Sequence, residues 1–220
     1  MDTFWSRLSK PFFVLAPMAD VTDPAYRKLL ALKGKPDVTW TEFVSADGIY
    51  HMRDKKGIPD TENPLMRDLL YTEAERPIVA QLFSSNPEAM AYTATLCAEL
   101  GFDGIDINMG CPDKSIEKQG CGAAMIKNPA KAKEIIRAAK KSGLPVSVKT
   151  RIGYNQESID EWLPNLLEEP IAALTVHLRT RKEMSKVPAH WDLMPRVVAL
   201  RDRLAPGVRI IGNGDVADLA

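Results

Sequence analysis

The chain has 220 residues, of which 45% are hydrophobic and 26% charged, a composition typical of a folded globular protein. Its 29 basic and 29 acidic residues give a formal net charge of zero, which excludes an overall attraction to nucleic acid but allows a local basic patch. Three cysteines without paired spacing exclude a disulfide scaffold and a typical zinc site, and the apolar run at 12–18 is too short to span a bilayer. We therefore expect a cytoplasmic protein with no metal and no membrane association.

Short apolar runs alternate with longer amphipathic segments along the chain. The runs predict strands at 13–16, 38–41, 78–83, 105–108, 146–149, 173–177 and 209–212. The amphipathic segments predict helices at 25–33, 86–100, 129–141, 158–167 and 197–204. Pro164 should keep the fourth of these helices short or kinked. Residues 45–76 are predicted as a long connection with some local structure.

Strands that alternate with helices predict an α/β fold with a parallel sheet. The spacing suits a (β/α)8 TIM barrel, with about seven of its eight strands inside one domain at residues 1–220. An open doubly wound sheet is the alternative that spacing alone leaves open.

The most informative segment is 104–112, Gly-Ile-Asp-Ile-Asn-Met-Gly-Cys-Pro. Its apolar run is typical of a buried parallel strand, and Gly110 and Pro112 then place Cys111 on a tight turn at the strand's carboxyl end. Catalytic groups of barrels are assembled at this end. Cys111 is therefore a candidate catalyst, although an ordinary buried thiol gives the same pattern. Cys97, inside a predicted helix, is expected in the core.

Other predicted strands also end in polar or special residues. They are Met18, Gln81, Asn108, Lys149, Arg151, His177, Arg179, Asn213 and Asp215. In a barrel these side chains converge on one mouth, where they could hydrogen-bond a planar ligand such as a flavin. Two purely structural alternatives to ligand binding stay open: His177 could be a core histidine, and 213–215 could be a simple turn.

Seven short motifs occur in a fixed order between residues 14 and 216. They lie at 16–23 (Ala-Pro-Met-Ala-Asp-Val-Thr-Asp), 81–83, 106–112, 120–123, 149–151, 177–181 and 213–215. Through these motifs the chain resembles the tRNA-dihydrouridine synthases. Ser84 and Leu178 depart slightly from the family pattern.

The resemblance implies an FMN-binding barrel that uses NADPH to reduce the C5=C6 bond of specific uridines in tRNA to 5,6-dihydrouridine. Reduced FMN would give hydride to C6, and Cys111 would give a proton to C5. The positions that match flavin contacts are Pro17, Met18, Ala19, Gln81, Lys149, His177, Asn213, Gly214 and Asp215. The positions that match substrate contacts are Asn108, Arg179 and Arg181, of which Arg179 could instead hold the flavin phosphate.

The resemblance also implies tRNA as the partner of a protein that we expect to be monomeric. A basic set on two predicted mouth loops is a candidate for contacts with tRNA phosphates, or else a solvated surface. This set comprises Lys114, Lys118, Arg179, Arg181, Lys182 and Lys186.

Family members continue beyond the length of this chain. The resemblance therefore implies a C-terminally truncated fragment without the eighth β/α unit and the C-terminal helical tRNA-binding domain, and we expect it to bind FMN weakly. Two alternative functions are a flavin-dependent dehydrogenase of a free pyrimidine, similar to dihydroorotate dehydrogenases, and a catalytically inactive RNA-binding fragment.

Overall fold

The computed structural model describes residues 3–216. Its strands are β1 (Thr39–Ser45), β2 (Ile78–Phe83), β3 (Gly104–Met109), β4 (Val146–Arg151), β5 (Ala173–His177) and β6 (Arg209–Asn213). Its α-helices are α1 (Phe4–Arg7), α2 (Pro24–Lys33), α3 (Ala46–Ile49), α4 (Pro87–Glu99), α5 (Lys114–Glu117), α6 (Pro129–Ala139), α7 (Ile159–Leu167) and α8 (Met194–Leu204). None of the helices within the described range has the length and apolar character needed to cross a membrane.

The six strands form one sheet whose order, β1-β2-β3-β4-β5-β6, follows the chain. The register is parallel between β1 and β2, between β4 and β5, and between β5 and β6. A doubly wound sheet reverses its strand order at a switch point, so this sequential order excludes that alternative. The predicted α/β class with barrel-type winding is confirmed, although six described strands fall short of the eight in a complete barrel.

Residues 13–16, predicted as the first strand, form only an isolated parallel bridge between Val14 and Val38. Pro17, which lacks a backbone N–H, follows the segment directly and cannot donate the next hydrogen bond of a ladder. A single bridge therefore stands where the first of the seven predicted strands was expected. The predicted connection at 45–76 contains α3, a π-helical segment at Tyr50–Lys55 and two 3-10 segments, Pro64–Leu69 and Glu73–Glu75.

The chain divides into two compact units. The first comprises Met1–Asp106 and Ala138–Pro145. All six residues of its strand β2 are buried, as expected for a continuous apolar run in a parallel sheet. Helix α2 begins as the sequence predicts, because the Asp23 carboxylate accepts a hydrogen bond of 2.7 Å from the backbone N–H of Tyr26 and Pro24 takes the first helical position.

The second unit comprises Ile107–Arg137 and Val146–Ala220. Helix α7 has nine residues with Pro164 inside it, and it buries Trp162 and Leu163. The indole Nε1 of Trp162 donates to the Oγ1 of Thr150 on β4 at 2.9 Å, and this bond orients the helix on the strand. The unit contains most of the predicted site residues, from Asn108 onward.

Candidate functional site

A hydrogen-bonded turn holds Cys111 directly after β3. The side-chain oxygen of Asn108 accepts hydrogen bonds from the backbone N–H groups of Gly110 (3.1 Å) and Cys111 (3.0 Å). The carbonyl of Cys111 in turn accepts from the N–H of Ala123 at 2.9 Å. Asn108 is buried, so its oxygen satisfies backbone donors that water does not reach. Its predicted contact with the substrate base stays a prediction.

Gly122 packs against the same turn from the other side. Its φ is +59°, and a Cβ added there would lie 2.6 Å from the carbonyl oxygen of Cys111. A side chain at this position would meet both backbone strain and a steric clash. The glycine at position 122 is thus explained by its close approach to Cys111. Cys121 itself is buried.

Arg151, at the end of β4, anchors the turn to a second loop. Its Nε donates to the carbonyl of Gly110 at 2.7 Å, and its Nη1 donates to the carbonyls of Thr180 (3.2 Å) and Met184 (3.1 Å). The residue is only 7% exposed. The buried guanidinium therefore fixes the backbone next to Cys111 relative to the loop that follows β5.

The carboxyl ends of β4, β5 and β6 bring three predicted flavin contacts together. Arg151 pairs with His177 across β4 and β5, and His177 pairs with Asn213 across β5 and β6. The Nζ of Lys149 donates to the Oδ1 of Asn213 at 3.1 Å. These contacts bring Lys149, His177 and Asn213 to one edge of the sheet, and their contacts with flavin stay predictions.

Burial and the neighbouring cations together set the charge state of His177. Burial, followed by the charges of Arg151 and Lys149, lowers the pKa of His177 to about 3. The imidazole is therefore neutral at physiological pH, and it can both donate and accept a hydrogen bond.

Burial raises the pKa of the Cys111 thiol above its ordinary value, while Arg151 and Lys149 act in the opposite direction. The thiol is consequently protonated at neutral pH. Because cations lie nearby, a thiolate formed there would still be stabilised. This combination suits a group that gives up a proton during a reaction.

Arg179 and Asp215 form an ion pair at 2.5 Å in which the arginine side chain is 7% exposed and the aspartate 46% exposed. The arginine also donates to the carbonyl of Val187. Hydrogen bonding to Arg179 lowers the pKa of Asp215. The pair holds the turn at Gly214, whose φ is +118°. Arg179 and Asp215 thus bind each other, and their predicted roles toward flavin or substrate stay predictions.

The predicted contacts Pro17, Met18, Ala19 and Gln81 belong to the first unit. The Oγ1 of Thr22 accepts from the N–H of Met18 at 3.0 Å and donates to its carbonyl at 3.1 Å. The Met18 side chain is exposed. Gln81 is fully buried, and its amide donates to the carboxylate of Asp106 at 2.7 Å.

A family model described as dihydrouridine synthase matches residues 14–220. The chain belongs to the dihydrouridine synthase family.

Curated relatives agree with this family. The chain is 47% identical over 218 residues to a Bacillus subtilis (strain 168) protein named "Probable tRNA-dihydrouridine synthase 2". This match covers 99% of this chain and 65% of the relative. The chain is also 45% identical over 220 residues to a Staphylococcus aureus (strain COL) protein named "Probable tRNA-dihydrouridine synthase". This second match covers 99% of this chain and 64% of the relative. The chain thus spans slightly less than two thirds of the length of these relatives.

A solved structure of histamine dehydrogenase from Rhizobium sp. 4-9 matches 94% of this chain and 40% of its own, with a TM-score of 0.61 and 12% sequence identity. At that identity the likeness concerns the fold alone.

The sequence of this dihydrouridine synthase family member did not predict a structural role for several residues that support the site. Arg151 was recognised as a polar strand end without a role, and Gly122 was recognised only as part of the motif at 120–123. Arg27 and Glu75 form an ion pair in which both side chains are fully buried, with Nε and Oε2 2.9 Å apart. The Nη1 of Arg27 donates to the carbonyl of Thr22 at 2.7 Å, which supports the turn at Met18. The sequence carries no local signal for this pair, because Arg27 and Glu75 lie 48 positions apart.

Proposed function

We propose that the protein containing this chain is an FMN- and NADPH-dependent tRNA-dihydrouridine synthase that reduces the C5=C6 bond of specific uridines. The observation that carries this proposal is the placement of Cys111 on a hydrogen-bonded turn anchored by Arg151, in a member of the dihydrouridine synthase family. The names of the curated relatives favour a tRNA substrate over a free pyrimidine.

The donor set at the ends of β4, β5 and β6 fits FMN. Lys149 supplies a positive charge, the neutral His177 supplies an imidazole, and Asn213 supplies an amide. A cation beside the N1/O2 side of an isoalloxazine ring favours its reduced, anionic form. Lys149, His177 and Asn213 would therefore hold the ring, with Pro17, Met18, Ala19, Gln81, Gly214 and Asp215 as the further proposed contacts. Bound FMN, with NADPH as its reductant, would supply the hydride for C6 of the uracil.

Cys111 is the proposed general acid. Its Sγ–H bond breaks as a C–H bond forms at C5 of the uracil, and the electron pair of the S–H bond stays on sulfur. The thiolate so formed is stabilised by Lys149 and Arg151, whose charges lower the pKa of Cys111. Solvent then returns the proton.

The substrate uridine must leave its base stack to reach such a site. Asn108 is proposed to contact the base, Arg179 to bind the substrate or the flavin phosphate, and Arg181 to bind the neighbouring backbone. Because tRNA is a cytoplasmic substrate in bacteria, we propose that the protein works there, as a monomer.

The decisive experiment is mass mapping of dihydrouridine in tRNA from cells that lack the gene. Reintroducing the intact gene should restore dihydrouridine at defined positions, and the Cys111→Ala gene should not. Unaltered dihydrouridine in the deleted strain, together with no reduction of its tRNA by the purified protein with FMN and NADPH, would contradict the proposal.

We also propose that tight FMN binding needs part of the length of the curated relatives that lies outside the match with this chain. Residues 1–220 alone should bind FMN more weakly than the same residues joined to that additional segment. Titration of flavin fluorescence measures both affinities, and equal values would contradict this requirement.

A further inference from the structure

Two cations flank one aromatic ring in the second unit. The Nζ of Lys127 lies 4.1 Å from the ring centre of Tyr154, and the guanidinium carbon of Arg181 lies 5.3 Å from the same centre. Both distances are within the range of cation–π attraction. We call Lys127, Tyr154 and Arg181 the Tyr154 cluster. Motif matching found only Arg181, because Lys127 and Tyr154 lie outside the motifs.

Backbone hydrogen bonds between two loops hold the Tyr154 cluster in place. The N–H of Arg181 donates to the carbonyl of Gly153, and the N–H of Lys182 donates to the carbonyl of Tyr154, both at 2.9 Å. The Nε of Arg181 donates to the carboxylate of Glu117 at 2.9 Å, and the Glu117 side chain is 10% exposed. Ring, guanidinium and loop backbone are therefore held together before any ligand binds.

The cluster lies at the same end of the strands as Cys111. Lys127 ends the 3-10 segment Gly122–Lys127, which packs on the Cys111 turn, while Tyr154 and Arg181 follow the carboxyl ends of β4 and β5. The segments that follow β3 and β5 carry four further exposed cations, which are Lys114, Lys118, Lys182 and Lys186. The acids on these loops have partners within the protein: Asp113 bonds Ser115, Glu117 pairs with Arg181, Glu157 pairs with Arg196, and Glu183 bonds Thr180 and His190.

We propose that the Tyr154 cluster binds backbone phosphates of the RNA strand next to the target uridine, an inference that rests on the proposed tRNA substrate. An ammonium and a guanidinium are both phosphate ligands, and such contacts carry no base specificity. Tyr154 restrains the two side chains, so less side-chain entropy is lost when a phosphate binds. Tyr154 is thus a positioning residue for Lys127 and Arg181.

The test compares tRNA affinity at several salt concentrations for the intact protein and its variants. Lys127→Ala should weaken tRNA binding several-fold and reduce the slope of log affinity against log salt by about 0.7–0.9, the loss of one phosphate contact. Lys127→Glu should weaken it more. Tyr154→Leu should weaken binding with little change of slope, because both cations remain, and Tyr154→Phe should restore most of the affinity.

Two controls separate this inference from the proposed function. FMN affinity and RNA-independent NADPH oxidation should be unchanged in the Lys127 variants. Arg203→Ala removes an exposed cation from the last turn of α8, which leads into the amino end of β6, and it should leave tRNA binding unchanged. A wild-type salt slope and affinity in Lys127→Ala and Lys127→Glu would overturn the cluster's role alone. Failure of the wild-type protein to bind or reduce tRNA would overturn the proposed function with it.

Discussion

Lys149 on β4 and Asn213 at the end of β6 are joined by a 3.1 Å hydrogen bond across 64 positions of sequence. The bond places an ammonium group at the edge of the sheet where Arg151 and His177 also lie. The positive charge of this group acts on both titratable side chains that the proposed chemistry uses, since it opposes the rise that burial causes in the pKa of Cys111 and adds to the fall that burial causes in the pKa of His177.

Lys149→Met should therefore raise the pKa of Cys111 further. The thiolate fraction at pH 8 falls about tenfold for each unit of that rise, so alkylation of Cys111 by iodoacetamide should slow several-fold. Peptide mass spectrometry follows Cys111 separately from the buried Cys97 and Cys121. An alkylation rate equal to that of the wild type would contradict the electrostatic coupling.

Cys111→Ala should remove the proton donor and leave the flavin contacts in place. A positioned general acid contributes about 10²–10⁴ in rate, so dihydrouridine formation should fall by this order while FMN affinity is retained. Cys97→Ala is the matched control, because it removes a thiol buried in helix α4. Turnover that persists in Cys111→Ala would exclude this cysteine as the acid.

His177 should make the folded protein sensitive to acid. Its pKa is about 3 in the folded state and about 6.5 when unfolded. Between these pH values the His177 imidazole binds a proton in the unfolded state but not in the folded state. The free energy of unfolding therefore falls as pH drops below about 6.5. His177→Gln should lose less stability than the wild type between pH 7 and pH 4.5 in urea titrations. Equal losses would show that His177 does not contribute.

Arg27→Met should be strongly destabilising, because it leaves Glu75 charged and buried. Breaking such a pair costs about 3–5 kcal/mol, which urea unfolding measures. The double variant Arg27→Met with Glu75→Leu should recover part of this loss, since no lone charge then remains. A single variant as stable as the wild type would contradict the burial of this pair.

Gly122→Ala should strain the Cys111 turn, because the new Cβ meets the carbonyl of Cys111 at a positive φ. We expect the free energy of unfolding to fall by about 1–3 kcal/mol and the activity to fall at temperatures where the variant stays folded. Gly207→Ala is the matched control, since nothing lies within 4 Å of a Cβ placed there. Equal behaviour of the two variants would remove the special role of Gly122.

Local sequence patterns predicted most of the fold and the turn that holds Cys111. The start of α2 at Asp23 and Pro24, the buried strand β2, and the placement of Cys111 after β3 each depend on residues a few positions apart. The segment at 13–16 was misread because its apolar run looks like a strand, whereas its ladder ends at a single bridge beside Pro17.

The sequence by itself determined the α/β class, the family motifs and the candidate residues, because apolar periodicity and turn chemistry act over short distances. The tertiary structure alone decided which of these residues meet. The bonds from Arg27 to Glu75, from Arg151 to Gly110 and from Lys149 to Asn213 join positions 41 to 64 residues apart. Partners at that separation leave no local pattern, and their charges shift pKa values only once folding has brought them out of water and into contact.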